Sequence, residues 1–186
     1  WDLVVGALVD REPEVADEAQ LALGRVRDPR LLADLLGPHG LRARDPWVRV
    51  RVAEALGRVP VALDGAALAD RLGLAAVVTT SALLWSIERL HKEKRLAGDP
   101  ARTVKEVVKL CRAARDPGLR AAAIVTLGAL DYFAAQPLVA AALEDRDPTT
   151  RCAALVVAAS YPEVESVAIA RKALLEGVGM EVAASF

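Results

Sequence analysis

The chain has 186 residues, 54% apolar but only 4% aromatic, with 26% charged residues and a net charge of −1. This balance excludes a disordered chain and gives no global attraction for nucleic acid. No apolar run approaches the roughly 18 residues that a membrane-crossing helix needs, and the predominance of Ala, Leu and Val favours helices packed closely through small side chains.

In chain order, Trp1 to Val9 reads as the closing helix of an earlier repeat. An acidic residue followed by proline then marks four starts, Glu12-Pro13, Asp45-Pro46, Asp116-Pro117 and Asp147-Pro148, each followed at an offset of eleven from proline by Gly24, Gly57, Gly128 or Ala159. An acidic N-cap accepts a bond from orphan amides, and proline at the first helical position gives up no needed donor. Each mark therefore predicts a helix of about three turns. The small residue at its end serves either a left-handed cap or close packing.

Second helices are predicted from Asp28-Pro29 through Leu36, Asp64-Gly65 through Leu72, Asp99-Pro100 through Ala114, Gln136-Pro137 through Leu143, and Tyr161-Pro162 through Leu175. Leu31, Leu32, Leu35 and Leu36 form the apolar stripe of the first of these. The intervals Pro13 to Pro46 and Pro117 to Pro148 are single periods, whereas Pro46 to Pro117 has room for two. The unmarked start falls near Thr79-Thr80-Ser81, with hydroxyls as caps and Leu83, Leu84, Ile87 and Leu90 on one face.

The resulting division is an end piece at 1–9, repeats at 10–43, 44–76, 77–114, 115–144 and 145–177, and the opening of another at 178–186. Val4, Val5, Leu8 and Phe186 supply no polar capping face, so the expectation is a fragment of a longer solenoid.

The unit Asp45-Pro46-Trp47-Val48-Arg49 through Ala53 and Ala55-Leu56-Gly57, echoed by Asp116-Pro117-Gly118-Leu119-Arg120 through Leu127-Gly128, resembles the short HEAT-like repeat associated with bilin lyases. The resemblance spans almost the whole chain, departing at Ala16 and over residues 77–98. It implies an all-α, right-handed α-solenoid of antiparallel helix hairpins. It also implies a structural ladder along the turn side made of Asp45, Arg49, Asp116, Arg120, Asp147 and Arg151. Ankyrin and tetratricopeptide repeats have similar periods, but their signatures are missing.

Charge supplies the sharpest local signal. Residues 89–115 hold nine Arg or Lys against three acidic residues, and four of the five lysines. Arg102, Lys105, Lys109 and Arg112 fall within an arc of about 80° on one helix, opposite Val104, Val107, Val108 and Cys111. Together with Trp85 they form the candidate partner-binding set, suited to an acidic protein partner at a basic central groove. The plainer alternative is a solvated helix face.

His39 and His91 have no nucleophile or carboxylate at catalytic or metal spacing, and no phosphate-binding or hydrolase motif occurs. Cys111 and Cys152 read as buried thiols. The expectation is a noncatalytic scaffold without cofactor or metal, whose partner is a protein rather than nucleic acid. The compartment is left open, with a lean toward the cytoplasm. An enzyme similar to bilin lyases or HEAT-like DNA glycosylases, and a purely architectural spacer, stay as alternatives.

Overall fold

The structure is a computed structural model that describes residues 2–73 and 75–161. The expectations for Tyr161-Pro162 through Leu175 and for residues 178–186 lie outside the described residues. The described chain is all-α apart from one short pair of strands. Its helices are α1 (Asp2–Leu8), α2 (Pro13–Leu23), α3 (Pro29–Leu35), α4 (Pro46–Leu56), α5 (Gly65–Ala69), α6 (Val77–Lys92), α7 (Pro100–Ala113), α8 (Pro117–Leu130), α9 (Tyr132–Ala142) and α10 (Pro148–Ser160). Strands β1 (Leu63–Asp64) and β2 (Leu96–Ala97) pair in parallel. No described helix is long and apolar enough to cross a membrane.

Aspartate capping sets most of these starts. Asp28, Asp45 and Asp147 accept from the amides two residues on, Arg30, Trp47 and Thr149, while Asp116 accepts from Leu119. Asp64 caps α5 through Ala66 without a proline. Glu12 precedes Pro13 but makes no side-chain cap; instead Asp10 accepts from the Glu12 amide at 2.9 Å.

Three predicted boundaries move. Pro137 lies inside α9, whose cap is Asp131, accepting from the Ala134 amide. The amide that proline lacks would have met the carbonyl of Phe133, an exposed residue, where water can replace it. Thr79 and Thr80 are interior and buried in α6, which starts at Val77 behind Ala76 with no side-chain cap. The third change is at α5, which ends at Ala69 rather than Leu72. In α3 only Leu32 and Leu35 of the predicted stripe are buried, and Leu31 is exposed.

The described residues form two compact units, one up to Thr103 and one from Val104 on, the division falling within α7. In the first, α1 packs on α2, α2 on α4 and α4 on α6; in the second, α8 packs on both α9 and α10. Leu56, Leu83, Leu84 and Ile87 in the first unit are fully buried, each contributing about 1.5–3 kcal/mol by transfer from water.

Close approach explains the recurring glycines. Gly24 and Gly57 have right-handed backbones, and Gly128 lies within α8, so none serves as a left-handed cap. A Cβ on Gly24 would lie 2.9 Å from Arg58 Cβ, on Gly57 2.7 Å from Ser86 Oγ, and on Gly128 2.5 Å from Val157 Cγ1. Each glycine thus admits a residue about one period further along.

Side-chain bonds follow the same interval. Ser86 Oγ donates to the Ala53 carbonyl at 2.6 Å and Tyr161 Oη to the Gly128 carbonyl at 2.5 Å, both across 33 residues. Arg51 bonds Asp17 at 34 residues and Gln20 at 31, while Gln20 Nε2 donates to Glu54.

The end of α6 uses a left-handed residue that is not glycine. Lys94 has φ 56°; its amide donates to the His91 carbonyl at 2.9 Å and the Arg95 amide to Leu90 at 2.7 Å. Those two bonds are the Schellman closure, which favours glycine at this position. Lys94→Gly is therefore expected to raise stability by about 0.5–1 kcal/mol, left-handed strain outweighing the added unfolded-state entropy. A higher urea midpoint at unchanged slope checks it, and an unchanged or lower midpoint counts against it.

Candidate functional site

Helix α7 owes its orientation to one apolar edge. Thr103, Val107 and Cys111, four residues apart, are buried, with Val104 and Val108 half-buried beside them. Arg102, Lys105, Lys109 and Arg112 on the opposite arc are all exposed. The four cations differ in what they touch. Arg102 grips both oxygens of Asp70 at 2.8 and 3.0 Å, and Lys109 reaches Glu106 at 3.4 Å. Lys105 and Arg112 take part in no ion pair among the described residues.

The remaining charge of the 89–115 window is largely spent on neighbours. Arg89 pairs with Glu93 at 2.9 Å, Lys92 with Glu88 at 2.5 Å, and Arg95 with Glu93. Burial, together with the nearby Arg89, lowers the pKa of Arg95. Exposed pairs of this kind add little stability, but they cut the field that the window presents. Among the described residues four cations of the window are left without a carboxylate, Lys105 and Arg112 on α7 and Lys94 and Arg115 beyond its two ends.

Trp85 belongs to the first unit and Lys105, Lys109 and Arg112 to the second. Its ring has the Arg58 guanidinium 5.1 Å and the Arg89 guanidinium 5.4 Å from its centroid, while its Cζ3 closes over Gly57. The ring is thus partly committed to cation–π and packing contacts, although 38% of the residue is exposed. Sequence reading missed Arg58 as a partner, because it follows the helix-ending Gly57 and carries no motif. Trp47 on α4 is 66% exposed.

The residues of the implied ladder take two distinct jobs. Asp45, Asp116 and Asp147 are the N-caps already described. Arg49, Arg120 and Arg151 each turn back to the loop before their own helix. In every case Nη1 donates to the carbonyls six and five residues earlier: Ala43 and Arg44 at 2.7 and 3.0 Å, Ala114 and Arg115 at 3.0 and 3.4 Å, Asp145 and Arg146 at 3.0 and 2.9 Å. Each of these three guanidiniums ties down the turn before its own helix. Arg120 adds a two-point grip on Asp145 at 2.9 and 3.0 Å. Burial pushes the Asp145 carboxyl up, but the Asp147 amide, Arg120 and Arg151 together outweigh it and hold the group below its ordinary range.

Among the remaining candidates, His39 and His91 are exposed. Cys111 is buried, and that burial pushes its thiol up to about 12; a thiol so placed is a poor nucleophile. Cys152 is half-exposed rather than buried. Tyr132 is buried against Tyr161 with ring centroids 4.0 Å apart, whereas Phe133 is exposed. Among the described residues no group of three or more His, Cys, Asp or Glu could hold a metal ion. No protein-family model and no curated protein matches this chain in sequence.

Proposed function

We propose that the chain is a noncatalytic, right-handed α-solenoid of HEAT-like hairpins, a scaffold that binds an acidic segment of a protein partner along the outer face of α7. Bonds one period apart within each unit, and glycines that admit a residue about one period further along, support the repeat reading.

The binding reading rests on one observation: α7 exposes four cations on one arc, and two of them, Lys105 and Arg112, meet no carboxylate among the described residues. A line of one sign on a firm helix favours an extended acidic peptide, and its pull should fade as salt rises.

The test uses a fluorescent peptide of ten alternating Asp and Ser residues titrated into the chain at low and at physiological salt. The Lys105→Glu, Arg112→Glu double variant is expected to weaken binding about tenfold at low salt while leaving the unfolding midpoint in place. Arg102→Glu and Lys109→Glu also break existing pairs, so they are secondary. Peptide affinity equal in the double variant and the parent chain would sink the proposal.

A further inference from the structure

A cavity of about 530 Å3 in the first unit is lined by Arg42, Arg49, Arg71, Thr79, Leu41 and Leu83. No carboxylate lines it, and among the described residues none of the three arginines takes part in an ion pair. Three guanidiniums converging without an acid leave a strong local positive field.

Two buried donors there are unsatisfied. Thr79 is 1% exposed, yet among the described residues its Oγ1 has no hydrogen-bond partner, and neither has the buried Nε of Arg71. The adjacent Thr80 differs, its hydroxyl donating to the carbonyls of Leu72 and Ala75 at 3.1 and 3.2 Å. Buried polar atoms are so regularly paired that two orphans on residues lining one cavity call for a bound partner, whether water or ligand.

The start of α6 adds a third contribution. Ala76, which also lines the cavity, is its N-cap and supplies no side-chain acceptor. The first amides of a sixteen-residue helix thus lack the capping oxygen that the aspartates give other helices. Such a terminus carries partial positive charge and favours an anion.

We propose that this cavity binds a small organic anion, a carboxylate or phosphate group on a short apolar body. Arginine forks match the planar or tetrahedral oxygens of the head group, and the Thr79 hydroxyl and Arg71 Nε donate to them. Leu41 and Leu83 receive the apolar body. The cavity lies within the range of small-molecule pockets. It shares no residue with the exposed arc of α7, so it stands apart from the proposed protein contact.

The test is calorimetric titration of the chain with hexanoate and with butyl phosphate, against sodium chloride at matched ionic strength. At least one of the two is expected to bind saturably at one site and raise the thermal midpoint. Binding by hexanoate alone assigns a carboxylate site, by butyl phosphate alone a phosphate site, and by both a site that reads charge and apolar body.

Thr79→Val preserves shape and removes only the donor, so it is expected to weaken binding about tenfold. Arg71→Gln should abolish binding; if that variant does not fold, Arg42→Gln at the exposed edge takes its place with a smaller loss. The Lys105→Glu, Arg112→Glu variant should bind as the parent does, which separates this site from the protein contact. Absence of saturable binding beyond chloride, or equal affinity in Thr79→Val, overturns the proposal.

Discussion

Gly57→Ala is expected to destabilise the first unit by about 2–4 kcal/mol, read as a lower urea midpoint at unchanged slope. A Cβ there would stand 2.7 Å from Ser86 Oγ and 2.9 Å from Ser86 Cα and Trp85 Cζ3. Alanine would by itself gain about 0.5–1 kcal/mol by restricting the unfolded chain. The clash wins because Ser86 Cα is helix backbone, and moving α6 outward also stretches the 2.6 Å bond from Ser86 to Ala53.

Gly128 is the control for that argument. Its obstruction is the side chain of Val157, with Cγ1 2.5 Å and Cγ2 3.0 Å away, rather than a backbone atom. Gly128→Ala should therefore be destabilising alone and stabilising in a Val157→Ala background, where the helix-forming gain of about 1 kcal/mol survives. Equal midpoints for Gly57→Ala and the parent would refute the close-approach account.

Arg120→Met is expected to cost about 2 kcal/mol, between the values for exposed and fully buried pairs, since both partners keep about a fifth of their side chains exposed. The change strips two donors from Asp145 and one from the Ala114 and Arg115 carbonyls. The cost should depend on pH with a definite sign. Because the folded Asp145 carboxyl titrates lower than in the unfolded chain, its contribution is complete above the ordinary carboxylate range and is lost as pH falls through the depressed folded value. The gap between parent and Arg120→Met should therefore narrow on acidification. A gap that stays constant from neutral pH down to strong acid would assign the loss to the carbonyl contacts alone.

What the sequence disclosed was whatever a few neighbouring residues decide. The starts of α3, α4, α8 and α10 were legible because an Asp-Pro pair supplies both the capping oxygen and a donor-free first position. Asp131 was overlooked for the complementary reason: Tyr132 follows it, and Pro137, tolerated inside α9, drew the boundary forward. The hydroxyls of Thr79 and Thr80 resembled caps by type, but their burial is decided by helices far along the chain.

The α7 stripe was likewise visible as spacing, since exposure follows from the periodicity of one helix. That Asp70 engages Arg102 depends on a contact 32 residues away and was not visible. Arg71 offered a weaker clue, since no acidic residue stands between Asp70 and Glu88. Its meeting with Arg42, Arg49 and Thr79 is a product of packing.

The one-period spacing of the side-chain bonds also bears on how the chain reaches its fold. Bonds spanning 31 to 34 residues close loops of nearly constant length, and closure entropy varies only with the logarithm of that length. Every successive docking step then meets a similar entropic hurdle. Within each unit the helices joined by these bonds need not wait for distant parts of the chain to meet, the situation in which folding is fast for a chain's size.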